Sequence, residues 1–291
     1  MKSIAVHKLI LFSGLLLAVG ISAAPNYLSQ ETKKLTAEEV IASHLNSIGT
    51  PEARSAFKSL VAQGTVTVNV RIGGSGKGKG NAVMASQGPM SLMGLIFGPQ
   101  EYANEKMAFN GQKLTLGEAR PGVRTRFGDF AMTHDLLFRE GLLGGTLSTA
   151  WPFYNMNEPK GKLRYQGTKN LNDRKAYVLS YEPRSGGNLD IKLYFDAETF
   201  QHLRTEYQQE FVAPSVTRPE KAARQKGTRL KLTEEFSDFR REANLVLPHN
   251  YKIQLTIDSE SDPLLQDWVV TLSQFLFNKA LDAKQFDLTA Q

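Results

Sequence analysis

Hydrophobic and polar residues alternate with a period of two over much of this chain, most plainly in Lys162–Phe211. Leu189, Ile191, Leu193 and Phe195 share one side, and Asp190, Lys192 and Tyr194 share the other. That is the pattern of a β-strand with one buried and one wet face. Just before it, Lys175–Glu182 alternates Ala176, Val178 and Ser180 against Tyr177, Leu179 and Tyr181. Turn formers bracket this earlier strand: Asn170, Asn172 and Asp173 ahead, Pro183, Gly186 and Gly187 behind. Ala197-Glu198-Thr199 then reverses the chain into Phe200–Phe211.

The same rhythm extends outward. Thr65–Ile72 sets Val66, Val68, Val70 and Ile72 against polar neighbours, and Asn81–Ser86 returns after the glycine-lysine run Gly73–Gly80. Glu101–Phe109 and Gln112–Gly117 make a hairpin about Asn110-Gly111, and Arg124–Phe127 reads as a further short strand. Thr228–Phe239 and Leu245–Asp258 follow a polar, proline-containing loop at Val212–Gly227, and a last strand runs from Trp268 to Asn278. Tyr251, Ile253, Leu255 and Ile257 form the inner row of the penultimate strand. The total is ten or eleven strands in nearly sequential antiparallel order.

Two places carry a helical period instead. Thr36 and Glu39 form a capping box with Leu35 and Val40 as its staple, and Val40, Ile41, Leu45 and Ile48 make an apolar stripe ended by Gly49. Thr50 with Pro51 starts a second helix, whose inner face is Ala53, Phe57 and Leu60. In Asp129–Trp151, Phe130, Leu136, Leu137, Leu142 and Leu143 suggest one or two short helices separated by Gly141, Gly144 and Gly145. Such an insertion commonly covers an open edge or mouth of a sheet.

One segment fits neither period. Met90-Ser91-Leu92-Met93-Gly94-Leu95-Ile96-Phe97 stands between Gly88-Pro89 and Gly98-Pro99. The brackets argue for a loop or a single helical turn. The contents argue for a core plug, or for an apolar mobile loop at a ligand mouth or membrane contact, a use that suits methionine.

At 291 residues, with 41% hydrophobic and 22% charged residues, the chain can bury a substantial core. Its start reads as a secretory signal peptide: Lys2 and Lys8, the apolar run Leu9–Ile21, then Ser22-Ala23-Ala24 for cleavage near Ala23. The run is shorter than the roughly 20 residues a membrane helix needs, although an uncleaved anchor is the alternative. A single domain over 25–291 is expected beyond it. The chain has no cysteine, which points to a bacterial periplasm and excludes a lipid-modified cysteine. The net charge of +6 falls to +4 once Lys2 and Lys8 leave with the signal peptide. That excess makes no case for nucleic acid, and it is compatible with brief contact with anionic membrane surfaces.

Catalytic chemistry is hard to assemble. The glycine-lysine run lacks the Ser or Thr of a phosphate loop after Lys79, and no helix follows it. His7, His44, His134, His202 and His249 are not spaced as metal ligands and read as surface or structural residues; His249 falls in a turn. Glu234 and Glu235 are adjacent in a strand and therefore face opposite ways. No enzyme, metal or cofactor is expected.

Three stretches carry a family resemblance: "LTAEEVIASHLNSIGTPEARSAFKSLV", "GTKNLNDRKAYVLSYEPRSGGNLDIKLYFDAETFQHLRTEY" and "LSQFLFNKALDAKQFDL". In the second, an Arg174-x-Ala-Tyr-Val-Leu strand precedes one ending Tyr194-Phe-Asp-x-Glu-Thr199. The chain resembles the LolA/LolB-type lipoprotein-carrier superfamily. The resemblance implies an α+β, mainly β fold: a strongly curved antiparallel sheet forming an incomplete barrel, its concave side apolar and closed by short helices. It also implies a lipophilic ligand. Lacking a lipidation cysteine, the chain departs from the membrane-anchored receptor branch.

The expectation is a soluble periplasmic carrier that buries a lipid or acyl chain non-covalently. Val66, Val68, Val70, Leu189, Ile191, Leu193, Phe195, Tyr251, Ile253 and Leu255 would line its cavity. Met90, Leu92, Met93, Leu95, Ile96 and Phe97, with Leu137 and Trp151, would cover it. The alternative is an envelope structural or interaction protein with a filled core.

Overall fold

In the computed structural model, described over residues 35–98, 102–119, 121–154, 161–211 and 227–289, the alternating stretches form a single antiparallel sheet. The chain divides into Met1–Lys34 and Leu35–Gln291, and the described residues belong to the second unit. The signal-peptide reading and nearly all of the 212–227 loop lie outside them. No described helix is long and apolar enough to cross a membrane.

Among the described residues there are twelve strands, one or two more than the pattern predicts. They are β1 (Ser59–Ile72), β2 (Gly76–Gln87), β3 (Met90–Phe97), β4 (Glu105–Phe109), β5 (Leu114–Leu116) and β6 (Gly161–Leu171). The second half is β7 (Arg174–Pro183), β8 (Asp190–Asp196), β9 (His202–Phe211), β10 (Thr228–Glu242), β11 (Leu245–Asp258) and β12 (Leu264–Phe277). The spatial order is β5-β4-β3-β2-β1-β12-β11-β10-β9-β8-β7-β6. Each strand pairs with its sequence neighbour, and β1 also pairs with β12, so the order is cyclic except at one place. That place is between β5 and β6, which form the two free edges. The barrel is incomplete at this seam.

The segment joining the two edge strands holds α3 (Arg126–Thr133), α4 (Leu136–Arg139) and a 3₁₀ turn at Gly145–Leu147. Arg126 begins a helix rather than continuing a strand, because the Thr125 hydroxyl accepts the Gly128 N–H and caps it. Ahead of the sheet, α1 (Ala37–Ile48) carries the full capping box, and Thr50 caps α2 (Pro51–Ser55). α2 ends before Phe57, and Leu60 already belongs to β1. Gly49 follows α1 because a Cβ there would meet the Asn244 carbonyl at 2.8 Å.

Cross-strand partners share a face, so the register defines two surfaces. One row runs Met93, Met84, Ala62 and another runs Val68, Trp268, Ile253, Glu234, Thr205, Leu193, Leu179. Apart from Glu234 and Thr205, these concave positions belong to one hydrophobic cluster with α1, α3 and the turn region. The apolar row of β1 fades toward its end, where Ile72 is exposed. A smaller cluster on the convex side joins Leu171, Ala176, Val178, Tyr194 and Leu203, so Tyr194 is buried rather than wet.

Met90–Phe97 is a strand, not a loop or a helical turn. Its period vanished because both of its faces are covered. Met93, Leu95 and Phe97 face the concave core. On the other face, the C-terminal residues return across β3 and β4, with Phe286 fully buried and the Leu288 N–H bonded to Thr115 Oγ1 at 3.0 Å. Val83, Leu92 and Ile96 border Leu288 there. The glycine-lysine run is also mostly strand: only Gly73-Gly74-Ser75 precede β2 as a turn. Gly80 lies so near β3 that a Cβ would meet the Ile96 carbonyl at 2.1 Å.

Candidate functional site

The concave face is the site the fold offers, and residues 126–154 plug it. Phe127, Leu137, Leu142, Leu147, Trp151 and Phe153 are all buried. Phe127 packs on Trp268 with ring centroids 4.9 Å apart, Trp151 stacks on His202 at 4.8 Å, and Phe153 meets Tyr181 at 6.1 Å. α1 closes the same side: His44 sits 4.7 Å from Phe195.

A tight bend at the tip of the plug depends on glycine. Gly141 has φ 72°, and a Cβ there would lie 1.9 Å from the Ala150 carbonyl oxygen. Gly145 has φ 52°, and its Cβ would press on His202 and Phe236. Between them Gly144, with φ 83°, donates its N–H to Glu234 Oε1 at 2.7 Å.

Glu234 is fully buried in the middle of the apolar concave rows. Tyr207 donates its hydroxyl to Oε2 at 2.6 Å, and Tyr251 donates to Oε1 at 2.5 Å. Among the described residues no lysine or arginine pairs with it. Burial pushes its carboxyl up to about 7, with the three donors pulling the other way. Burial raises both phenols well above their usual range. Glu235, on the opposite face, pairs with Arg204 and Lys252 as the alternation requires.

Few other polar bonds fasten the plug. Thr149 N–H reaches Ser86 Oγ at 3.0 Å, and Tyr181 donates to Glu140 at 2.7 Å. At the root of α3, Thr125 donates to Glu105, a buried carboxyl also raised by burial to about 7. Trp151 Nε1–H reaches His44 Nε2 at 3.2 Å, while His44 Nδ1 bonds the Phe200 carbonyl at 3.0 Å. Burial holds His44 down to about 4 and His202 well below its usual value. His44, His134, His202 and His249 are buried, His249 lies in β11 rather than a turn, and His7 lies outside the described residues. No metal-holding group of three or more side chains occurs among the described residues.

The residues expected to line a cavity divide by place. Val66, Val68, Ile191, Leu193, Phe195, Tyr251, Ile253 and Leu255 share the concave face, each at most 1% exposed. Met93, Leu95 and Phe97 join them, and Leu137 and Trp151 come from the plug. Val70 is half-buried near the end of β1, and Leu189 is half-buried just before β8. Met90, Leu92 and Ile96 are half-buried on the convex face and do not face the hollow. The concave face is therefore filled by the chain's own side chains. A hollow of about 270 Å³ lies between α3 and the ends of β10 and β11, where Phe130, Leu230, Leu255 and Ile257 meet Arg126 and Asp262.

Sequence reasoning placed Tyr251 on the inner row but missed Tyr207 and the burial of Glu234 between the two tyrosines. One signal was present: Glu234 has the same parity as Leu230, Leu232 and Phe236, which puts a charge on an apolar row.

No family model and no curated protein matches the chain. Solved structures do. A LolA superfamily protein from Nitrosomonas europaea is 12% identical, with a TM-score of 0.45 over 89% of this chain and 100% of that one. A DUF1329 family protein from Desulfovibrio piger is 9% identical, with a TM-score of 0.41 over 87% and 98%. A provisionally assigned outer membrane lipoprotein-sorting domain from Vibrio parahaemolyticus is 10% identical, with a TM-score of 0.41 over 87% and 97%. At these identities and TM-scores the matches assign the chain to no family.

Proposed function

We propose that this protein is a soluble periplasmic carrier that holds a lipid or other lipophilic molecule on the concave face of its sheet, without covalent chemistry. The observation that carries this reading is the seam. A barrel otherwise cyclic in its pairing is open between β5 and β6, and the opening is stopped by an apolar segment rather than by strand pairing. The energies are of matching size. An acyl chain of about 16 carbons brings on the order of 13 kcal/mol at ~0.8 kcal/mol per methylene. The large apolar side chains of the plug contribute about 2 kcal/mol apiece. A ligand and the plug can thus compete for the same surface. The hollow beside α3, with its apolar floor and charged rim, suits the entry of such a molecule.

A second reading, an envelope interaction protein with a permanently filled core, draws on the near-zero exposure of the concave rows. Native mass spectrometry of the mature protein released from the periplasm separates the two. The carrier reading expects a fraction of molecules heavier by one lipid; a single ligand-free mass under conditions that preserve a known lipid carrier contradicts it.

A further inference from the structure

Gly144 presents one backbone N–H to a buried carboxylate that has no cation beside it among the described residues. Next to it, Gly145 covers His202, whose Nε2 bonds the Arg204 carbonyl at 3.1 Å and Thr205 Oγ1 at 2.8 Å. A carbonyl only accepts, so Nε2 carries the proton and Nδ1 is a bare acceptor. That Nδ1 is buried and has no hydrogen-bond partner. Beneath the glycine tip, two acceptors thus point out of an otherwise apolar wall: the Glu234 carboxylate, steadied by Tyr207 and Tyr251, and the His202 nitrogen.

Resting on the carrier reading, we propose that the Glu234–His202 pair is the polar anchor for the ligand, and that the ligand is a lipophilic molecule bearing an N–H donor, such as a fatty amide. In the closed protein the Gly144 amide occupies that anchor. A ligand reaching the concave face displaces the tip, buries its chain where the plug leucines and aromatics lay, and replaces the Gly144 N–H with its own. A lipid carrying only ester oxygens brings acceptors alone. It would leave a buried carboxylate short of a donor, an expensive state in a medium of low polarity. The anchor therefore selects for a donor and against an otherwise identical ester.

Methyl oleate and N-methyl-oleamide have the same chain and nearly the same shape, and they differ by an ester oxygen in place of an N–H. Binding of each to the mature protein at pH 8, above the value of about 7 to which burial raises the Glu234 carboxyl, measured by titration calorimetry, reads the selection directly. The expected result is an amide that binds about tenfold or more tightly than the ester. In Glu234→Gln, with folding checked by circular dichroism, that preference falls to within about threefold. Equal affinities in the unaltered protein overturn the anchor and leave the carrier reading standing, as does a preference that survives in a folded Glu234→Gln. Failure of both molecules to bind overturns the carrier reading and the anchor with it. The comparison in the unaltered protein decides the matter even if the variant does not fold.

Discussion

Glu234 accepts the backbone N–H of Gly144 at 2.7 Å, joining the middle of β10 to the tip of the plug across 90 positions of sequence. The bond sits where the carboxyl has been raised to about 7 from an ordinary 4.5. The folded protein therefore keeps a proton at pH values where the unfolded chain has lost it. The stabilisation is full below about 4.5 and is lost as pH rises through about 7. His44 works in the opposite sense: at about 4, against 6.5 when unfolded, it costs stability as pH falls from 6.5 through 4. Below 6.5 the two partly offset each other. Urea titrations of the unaltered protein and Glu234→Gln isolate the first term. Relative to the variant, the unaltered protein should lose up to about 3 kcal/mol between pH 4.5 and 8. A difference that does not change with pH contradicts this account.

Gly141 and Gly186 both have positive φ, at 72° and 75°, but different surroundings. Nothing lies within 4 Å of a Cβ at Gly186, whereas the Ala150 carbonyl blocks one at Gly141. Gly186→Ala should cost only the backbone term, about 1 kcal/mol. Gly141→Ala must also move the plug, and should cost at least about 3 kcal/mol. Equal losses in chemical denaturation would mean that the plug tip is not tightly seated.

The C-terminal residues act as part of the sheet's outer cover. Phe286 is fully buried, while Leu276 on β12 is 36% exposed. Phe286→Ala should cost about 3–5 kcal/mol and expose the convex face of β3, detectable as binding of a hydrophobic dye. Leu276→Ala should stay within about 1 kcal/mol of the original. Similar small losses for both would remove the cover from the explanation of β3.

Much of the fold was legible in the residues because most strands keep one face wet. Leu245–Asp258 shows that, and the capping box at Thr36 and Glu39 marked α1 equally well. Met90–Phe97 was illegible for the converse reason: a strand covered on both faces has no period to read, and its glycine-proline brackets suggested a loop. Arg124–Phe127 looked extended because a cap such as Thr125 is itself extended before the helix begins. The site was harder. Glu234 and Glu235 read only as two carboxylates on opposite faces of a strand, and the partners of Glu234 lie 17, 27 and 90 positions away. Only the register, which no local pattern contains, puts Tyr207, Tyr251 and Gly144 around one carboxylate.

The central claim is that the 126–154 segment must leave the concave face before a lipid can enter. The chain has no cysteine, so a single engineered disulfide can fix that segment without side reactions. Ser86 Oγ accepts the Thr149 N–H at 3.0 Å, so Ser86→Cys with Thr149→Cys is a staple between plug and wall whose closure is checked by loss of free thiol. Uptake of a fluorescent fatty amide by the stapled protein, oxidised and then reduced, is the direct test. The account predicts no uptake when the disulfide is formed and recovery when it is reduced. Equal uptake in both states would contradict it.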